Sequence, residues 1–292
     1  MDFGQVRYEE NNILLNSKFA EKQVLICAHR GSWHGNITQN TNLAYKAALL
    51  QGADILETDT TATVDDVVFS LHDGVEPRLF GLPRRCSLQM TASEIDAIQP
   101  LNALAEPSTH KVQRLAEIFA ALDHGELINV DRSWRAKGLV LSVLDAFPYM
   151  RLQAIIKAPL SEKQVIQQLQ AHPIKYMFMP ICYSLEEVKE ALSFDELNMV
   201  GIELIAHSEK DDLYSDEAIR FIHAHNLFCW VNALVISDCY PKAALYGTLN
   251  DDVSIANGPD AGWGILMDKG IDVIQTDWPS ILRDYRFKRL SI

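Results

Sequence analysis

Eight short apolar runs, spread along the whole chain and separated by stretches of helical character, constrain its fold more than any other feature. They are VLICA (24–28), DILETD (54–59), LINVD (127–131), QAIIK (153–157), YMFMP (176–180), VGIEL (200–204), LFCWVN (227–232) and DVIQTD (272–277). The runs are continuously apolar rather than alternating, the pattern of strands buried on both faces of a parallel sheet. Amphipathic segments at 41–51, 111–124, 161–170, 184–193 and 215–225 lie between them. In the fourth of these, Leu185, Val188, Ala191 and Leu192 fall on one helical face. A doubly wound α/β sheet is the alternative, but the strand count and the 292-residue length favour a (β/α)8 TIM barrel. No Gly/Ser linker interrupts residues 24–292, which read as one domain behind a polar N-terminal extension, 1–23.

One apolar run stands outside the eight. VVFSLH (67–72) follows the second strand after only Asp65 and Asp66, too few residues for a parallel crossover. It reads as the return strand of a hairpin excursion above the barrel. With a two-residue turn at Asp65-Asp66, paired positions sum to 131 and Asp59 faces His72 across the hairpin, about 5 Å apart at Cβ.

A hydrophobic fraction of 48% is ample for a large core, and a formal charge of −13 argues against nucleic acid or an anionic membrane as the main partner. A phosphate site in such a chain must make its positive charge locally. Cys27, Cys86, Cys182, Cys229 and Cys239 are scattered, with no C-x-x-C pair, so neither a zinc knuckle nor a redox pair is indicated. Cys27 and Cys229 sit in apolar runs as buried thiols. The N-terminus lacks the basic-then-apolar pattern of a signal peptide, and the run from Leu227 to Ile236 is too short to span a bilayer. A cytoplasmic protein with no stable membrane insertion is expected.

The C-terminal strand ends of a barrel build its active site. Here they carry His29-Arg30, Glu57 and Asp59, Asp131, Lys157, Glu203, Trp230 and Asn232, and Asp277. Glu57 and Asp59, two apart on one strand, point the same way, and their mutual repulsion is relieved by a hard divalent cation, Mg²⁺ or Ca²⁺. Asp131 is placed as a third ligand. The plainer alternative is an ion network with Arg30 and Arg132. His29 and His72 titrate naturally near neutrality and suit an acid/base pair, while Arg30 offers a fixed fork for phosphate oxygens. His110, His124, His172, His223 and His225 read as structural, and His34 and His207 as rim residues. The polar, glycine-containing stretch 251–262 reads as a lid or rim loop.

The segment AHRGSW…QNTNLAYKAALLQGADILETDTTATVDDVVFSLHDG resembles the glycerophosphodiester phosphodiesterase family, a branch of the phosphatidylinositol-phospholipase-C-like barrels. LINVD, GIELI (201–205), FCWVNA (228–233) and GIDVIQTDWP (270–279) resemble its later strands in order. The resemblance implies a metal-dependent phosphodiesterase acting on a small-molecule, glycerophosphodiester-type substrate. It implies His29 and His72 as acid and base, Arg30 as a phosphate ligand, and Glu57 and Asp59 as metal ligands. The family's third acidic ligand and nearby lysine form an E-x-K pattern, where this chain has Asp131-Arg132-Ser133. Lys157 on the next strand is the candidate to replace that lysine. Gln39 stands where the family has the glutamate of E-N-T, leaving a neutral substrate contact. Trp230 with Asn232 resembles the family's W-T-x-N segment, an aromatic wall for substrate. Two rivals remain: a barrel of the same ancestry that binds a phosphorylated or polyol ligand without turnover, and an aldolase using Lys157 as a Schiff base. The second leaves HRG, ETD and HD unexplained.

Overall fold

The computed structural model describes residues 2–82, 86–236 and 243–291. All eight expected strands form: Leu25–Ala28, Ile55–Ala62, Leu127–Asp131, Ala154–Pro159, Met177–Cys182, Gly201–Leu204, Phe228–Asn232 and Val273–Thr276. Each pairs in parallel with the next, and the eighth pairs with the first, Leu25 opposite Val273 and Ala28 opposite Thr276, so the sheet closes into a barrel.

Alternate residues of each strand serve two different cores, which is why the runs read as continuously apolar. Leu25, Cys27, Ile55, Leu127, Ile155, Met177, Phe228 and Val273 pack together in the barrel interior. Their chain neighbours Ile26, Leu56, Ile128, Ile156, Phe178, Cys229 and Ile274 pack outward beneath the helices. Residues 1–23, polar by composition, contain a helix, Glu9–Lys22, whose Leu15 and Phe19 join the interior core together with Phe3. Asn12 on the same helix is fully buried and exchanges amide hydrogen bonds with Asn198 at 3.1 and 2.8 Å. The N-terminal end of the barrel is therefore capped by a folded segment.

Three local expectations need correction. The hairpin after the second strand forms, but Thr60, Thr61 and Ala62 pair with Ser70, Phe69 and Val68, so positions sum to 130 rather than 131. The turn has three residues, not two, with Thr63 and Val67 closing it and Asp66 in the left-handed region at φ 62°. That is the usual form of a three-residue hairpin loop. The helix expected over 111–124 is confined to Leu115–Ala120. The chain before it is extended because Gln113 accepts from the amide of Ser70 and Arg114 bridges Phe69, covering the edge of the return strand. The stretch 251–262 is no open loop. It holds the helix Asp251–Ala256, capped by the Asn250 side chain at 3.0 Å, and Trp263 and Asp251 from its two ends are buried.

Cys27, Cys182 and Cys229 are buried free thiols whose pKa values burial pushes up, while Cys239 lies outside the described residues. Among the described residues, no helix is long and apolar enough to cross a membrane.

Trp230 lies wholly inside the barrel, between Phe228 and the hydrogen-bonding groups of Asn232 and Gln275. Trp230→Ala is expected to lower unfolding free energy by about 3–5 kcal/mol, measured by chemical denaturation, because the cavity left behind cannot collapse in a closed barrel.

Candidate active site

The strand ends converge on a cavity of about 460 Å³ at the C-terminal mouth. His29, Arg30, Asp59, His72, Asp131, Lys157, Glu203, Asn232 and Asp277 supply its polar lining. A larger cleft, about 620 Å³, opens at the opposite end beside Phe3 and Asn226, on the face where barrels carry stabilising rather than catalytic residues.

The first strand ends in a turn that only its own sequence allows. Arg30 takes φ 56° and Gly31 φ 75°, and a Cβ on Gly31 would lie 2.7 Å from the backbone of Ala44. This turn aims the Arg30 amide at Glu57 Oε2, 2.7 Å away, and brings the Arg30 guanidinium within 2.9 Å of Asp59 Oδ2. Gln39 accepts from the guanidinium at 2.9 Å, and Asn40 donates to Asp59 Oδ2 at 3.0 Å. Burial works against a charge on Asp59, but Arg30, His72, His29 and the Asn40 amide together hold its pKa well below the usual carboxylate range. Glu57 has no such set of partners, and burial beside Asp59 and Asp131 pushes it well above that range.

Glu57, Asp59 and Asp131 each offer an oxygen, and these three atoms lie within 4.8 Å of one another. Three carboxylate oxygens so close form a donor set that fits a hard divalent cation. Asp131 also meets Lys157 Nζ at 2.7 Å, and Lys157 reaches Glu203 at 2.8 Å from the other side. Burial alone would discharge Lys157, yet Asp131, Glu203 and Glu57 raise its pKa above the ordinary lysine value. Glu203 is in turn held by the Asn232 amide at 2.7 Å.

Both candidate histidines spend Nδ1 on an oxygen and leave Nε2 for the cavity. His29 Nδ1 lies 2.9 Å from Asp277 Oδ1, and His72 Nδ1 lies 2.6 Å from the carbonyl of Asp73. Burial opposes a charge on Asp277, but His29 beside it keeps its pKa low. His72 is shifted below the ordinary histidine value, chiefly by burial, which the nearby Asp59 only partly offsets. His72 lines the cavity despite the one-residue change of hairpin register, in which Leu71 rather than His72 meets Asp59, its amide donating to the Asp59 carbonyl at 3.0 Å.

Two expected substrate contacts lie elsewhere. Trp230 is core, not an aromatic wall, and Gln39 is buried behind Arg30 rather than lining the cavity. Arg132 does not join the carboxylates; it turns at φ 55° to Asp73, Nε 2.7 Å away. Ser133 bonds the carbonyl of Lys157 at 2.8 Å. His34 is sandwiched between Trp33 and Trp278 at the rim, and His207 is exposed. His223 pairs with Asp272 at 2.7 Å at the far end of the barrel, where Cys229 also lies close. Residues that the motif alone did not single out complete the site: Asn40, Asp73, Glu203 and Asp277, together with Asp251. The Asp251 carboxylate accepts from Trp263 Nε1, the Thr276 hydroxyl and the Asp277 amide.

Residues 29–172 match the glycerophosphoryl diester phosphodiesterase family. That segment, just under half of the chain, resembles a family of phosphoric diester hydrolases. Residues 178–286 match a domain of unknown function, although that segment supplies nearly all of strand five and strands six to eight of the same closed barrel. No curated protein matches the chain in sequence. Solved structures share the fold at low identity. A glycerophosphoryl diester phosphodiesterase from Parabacteroides distasonis aligns at 16% identity and a TM-score of 0.69, covering 91% of this chain and 87% of its own. One from Thermotoga maritima aligns at 20% and 0.62, covering 90% and 98%. An Oleispira antarctica phosphodiesterase, in complex with the product sn-glycerol-3-phosphate, aligns at 12% and 0.63, covering 89% and 95%.

Lys157 is 2% exposed between two carboxylates. Lys157→Met is expected to cost about 3–5 kcal/mol in chemical denaturation, since it strands buried charge on Asp131 and Glu203. A surface lysine substituted in the same way would move stability by only a few tenths of that.

Proposed function

We propose that this chain is a metal-dependent phosphodiesterase that hydrolyses glycerophosphodiester-type substrates, using His29 and His72 as acid and base. The observation that carries this reading is the group of three carboxylate oxygens within 4.8 Å, two of whose residues, Asp59 and Asp131, line the same cavity as both histidines and Arg30. Glu57, Asp59 and Asp131 would hold one divalent cation, Mg²⁺ or Ca²⁺. When bound, the cation supplies Lewis-acid neutralisation of charge on the phosphoryl oxygens.

The side chains divide the remaining work. Arg30, braced by Asp59 and Gln39, binds a non-bridging phosphate oxygen and steadies the charge that grows during displacement. His72, neutral at pH 7 because burial lowers its pKa, takes the nucleophile's proton on Nε2. The nucleophile is water or a vicinal hydroxyl of the substrate. As its oxygen bonds to phosphorus, the ester bond on the far side breaks, and His29 Nε2 gives a proton to the departing alkoxide. Asp277 keeps the His29 ring in that orientation. Lys157 adds fixed positive charge beside Asp131. The product bound to the Oleispira antarctica phosphodiesterase supports glycerol phosphate as one half of the substrate.

The departures from the family pattern at Gln39 and Ser133 are what would favour a ligand-binding barrel without turnover. Gln39 instead braces Arg30, and Ser133 anchors the backbone of Lys157, so both departures serve groups that the chemistry needs. The single domain of 24–292 and a cytoplasmic location belong to the same proposal.

Alcohol release from glycerophosphodiesters should be lost on chelation and restored by Mg²⁺ or Ca²⁺; activity persisting in excess chelator would overturn the reading. His29→Ala and His72→Ala should each lower kcat by about 10²–10⁴-fold. Because the base must be unprotonated and its pKa is lowered, kcat/KM should hold steady from neutrality downward and fall only below the ordinary histidine value of about 6.5. That acid limb should be absent from the residual activity of His72→Ala.

A further inference from the structure

The cavity has two unlike halves, and the strand order of the barrel separates them. Strands eight, one, two and three carry Asp277, His29, Arg30, Asp59 and Asp131. Strands five, six and seven carry Ile181, Tyr183, Ile205 and Leu234 at the same level or just beyond their ends. Strand two, with its carboxylates, stands opposite strand six across the mouth. Ile181, Ile205, Leu234 and Leu245 form a single apolar cluster with Trp134 packed against it, and all five face the cavity. A phosphate bound at Arg30 would send one ester arm over this wall. An alcohol that is small and polar leaves the wall uncovered.

Charge discriminates further among the alcohols that would reach it. The guanidinium carbon of Arg132 lies 5.8 Å from the Trp134 ring centre, and that of Arg78 lies 5.6 Å from the Trp33 ring centre. A quaternary or primary ammonium seated against either ring would meet a cation already there. The carboxylate nearest the wall, Glu203, is occupied by Lys157 and Asn232. Among the described residues, the arc therefore offers apolar surface and one carboxylate, Glu203, that is already held.

We infer that the preferred substrate is a phosphodiester whose arm over strands five to seven carries an uncharged alkyl or acyl chain, in preference to one ending in an ammonium group. This rests on the phosphodiesterase reading of the site. Each methylene that enters the apolar half in the transition state raises kcat/KM by about fourfold.

The test compares kcat/KM for glycerophosphocholine and glycerophosphoethanolamine with that for glycerophospho-n-alkyl esters of two, four and eight carbons. Short-chain 1-hexanoyl-glycerophosphocholine, below its micellar concentration, places the chain on the glycerol instead. A rise of at least about tenfold from the ethyl to the octyl ester, with the octyl ester ahead of both ammonium esters, supports the inference and puts the chain on the second alcohol. A gain confined to the hexanoyl compound supports it with the chain on the glycerol. Leu234→Asn should pull the octyl-to-ethyl ratio back toward one. The wild-type chain-length series stands by itself if that variant does not fold. Turnover of glycerophosphocholine equal to or faster than that of every chain-bearing ester overturns the inference and leaves the phosphodiesterase reading in place. No turnover of any phosphodiester overturns the phosphodiesterase reading itself, and the inference with it.

Discussion

Buried charge at the barrel mouth is the constraint on which the site depends. Glu57, Asp59, Asp131 and Glu203 stand within a few side chains of one another, three of them buried and Asp131 half-buried. Carboxylates in such a setting are tolerated only with close counter-charge. Arg30 meets Asp59, and Lys157 bridges Asp131 and Glu203. Glu57 receives only the Arg30 amide and the field of more distant cations. The protein's own bases thus neutralise most of the cluster and leave one group short of charge, the condition in which a divalent cation has most to offer.

The floor beneath this cluster is dry and rigid. Trp230, Phe228, Met177 and Met179 fill the barrel interior, and the N-terminal helix closes its far end with Leu15 and Phe19. A packed interior of this kind holds strand ends in fixed register, so side chains from seven strands meet at one point. The excursion after the second strand then adds what a barrel strand end cannot, a histidine approaching from above. Its base is tied by the Thr58–Ser70 hydroxyl contact at 2.6 Å and by Arg132 reaching over to Asp73. Arg30, Asn40 and Arg132, in the turns that aim these groups, each take positive φ and carry local strain.

Legibility followed physical range. The strands were readable because burial on both faces imposes one composition, and the site motif because strand ends in a barrel must converge. The hairpin register was misread by one residue, since a three-residue loop with Asp66 in the left-handed region and a two-residue turn look alike in VDDV. Gln39 and Trp230 were misplaced for a related reason. A polar or aromatic residue beside a motif carries no mark of whether it faces the ligand or braces a group that does. Asp277 was legible only as a strand-end acid and Asp251 not at all, because Asp251 gathers Trp263, Thr276 and the Asp277 amide, and Asp277 meets His29, across segments distant in sequence.

From sequence alone come the closed parallel barrel, the HRG and HD motifs that carry His29 and His72, and the pair of carboxylates two apart. These rest on periodicity and on chemistry confined to neighbouring residues. The tertiary structure decided the rest: that Lys157 is shared between Asp131 and Glu203, that Asp277 orients His29, and that an apolar wall faces the carboxylates across the mouth. Each is a relation between strand ends separated by tens or hundreds of residues. Only closure of the barrel brings those ends within contact distance, and no local pattern records it.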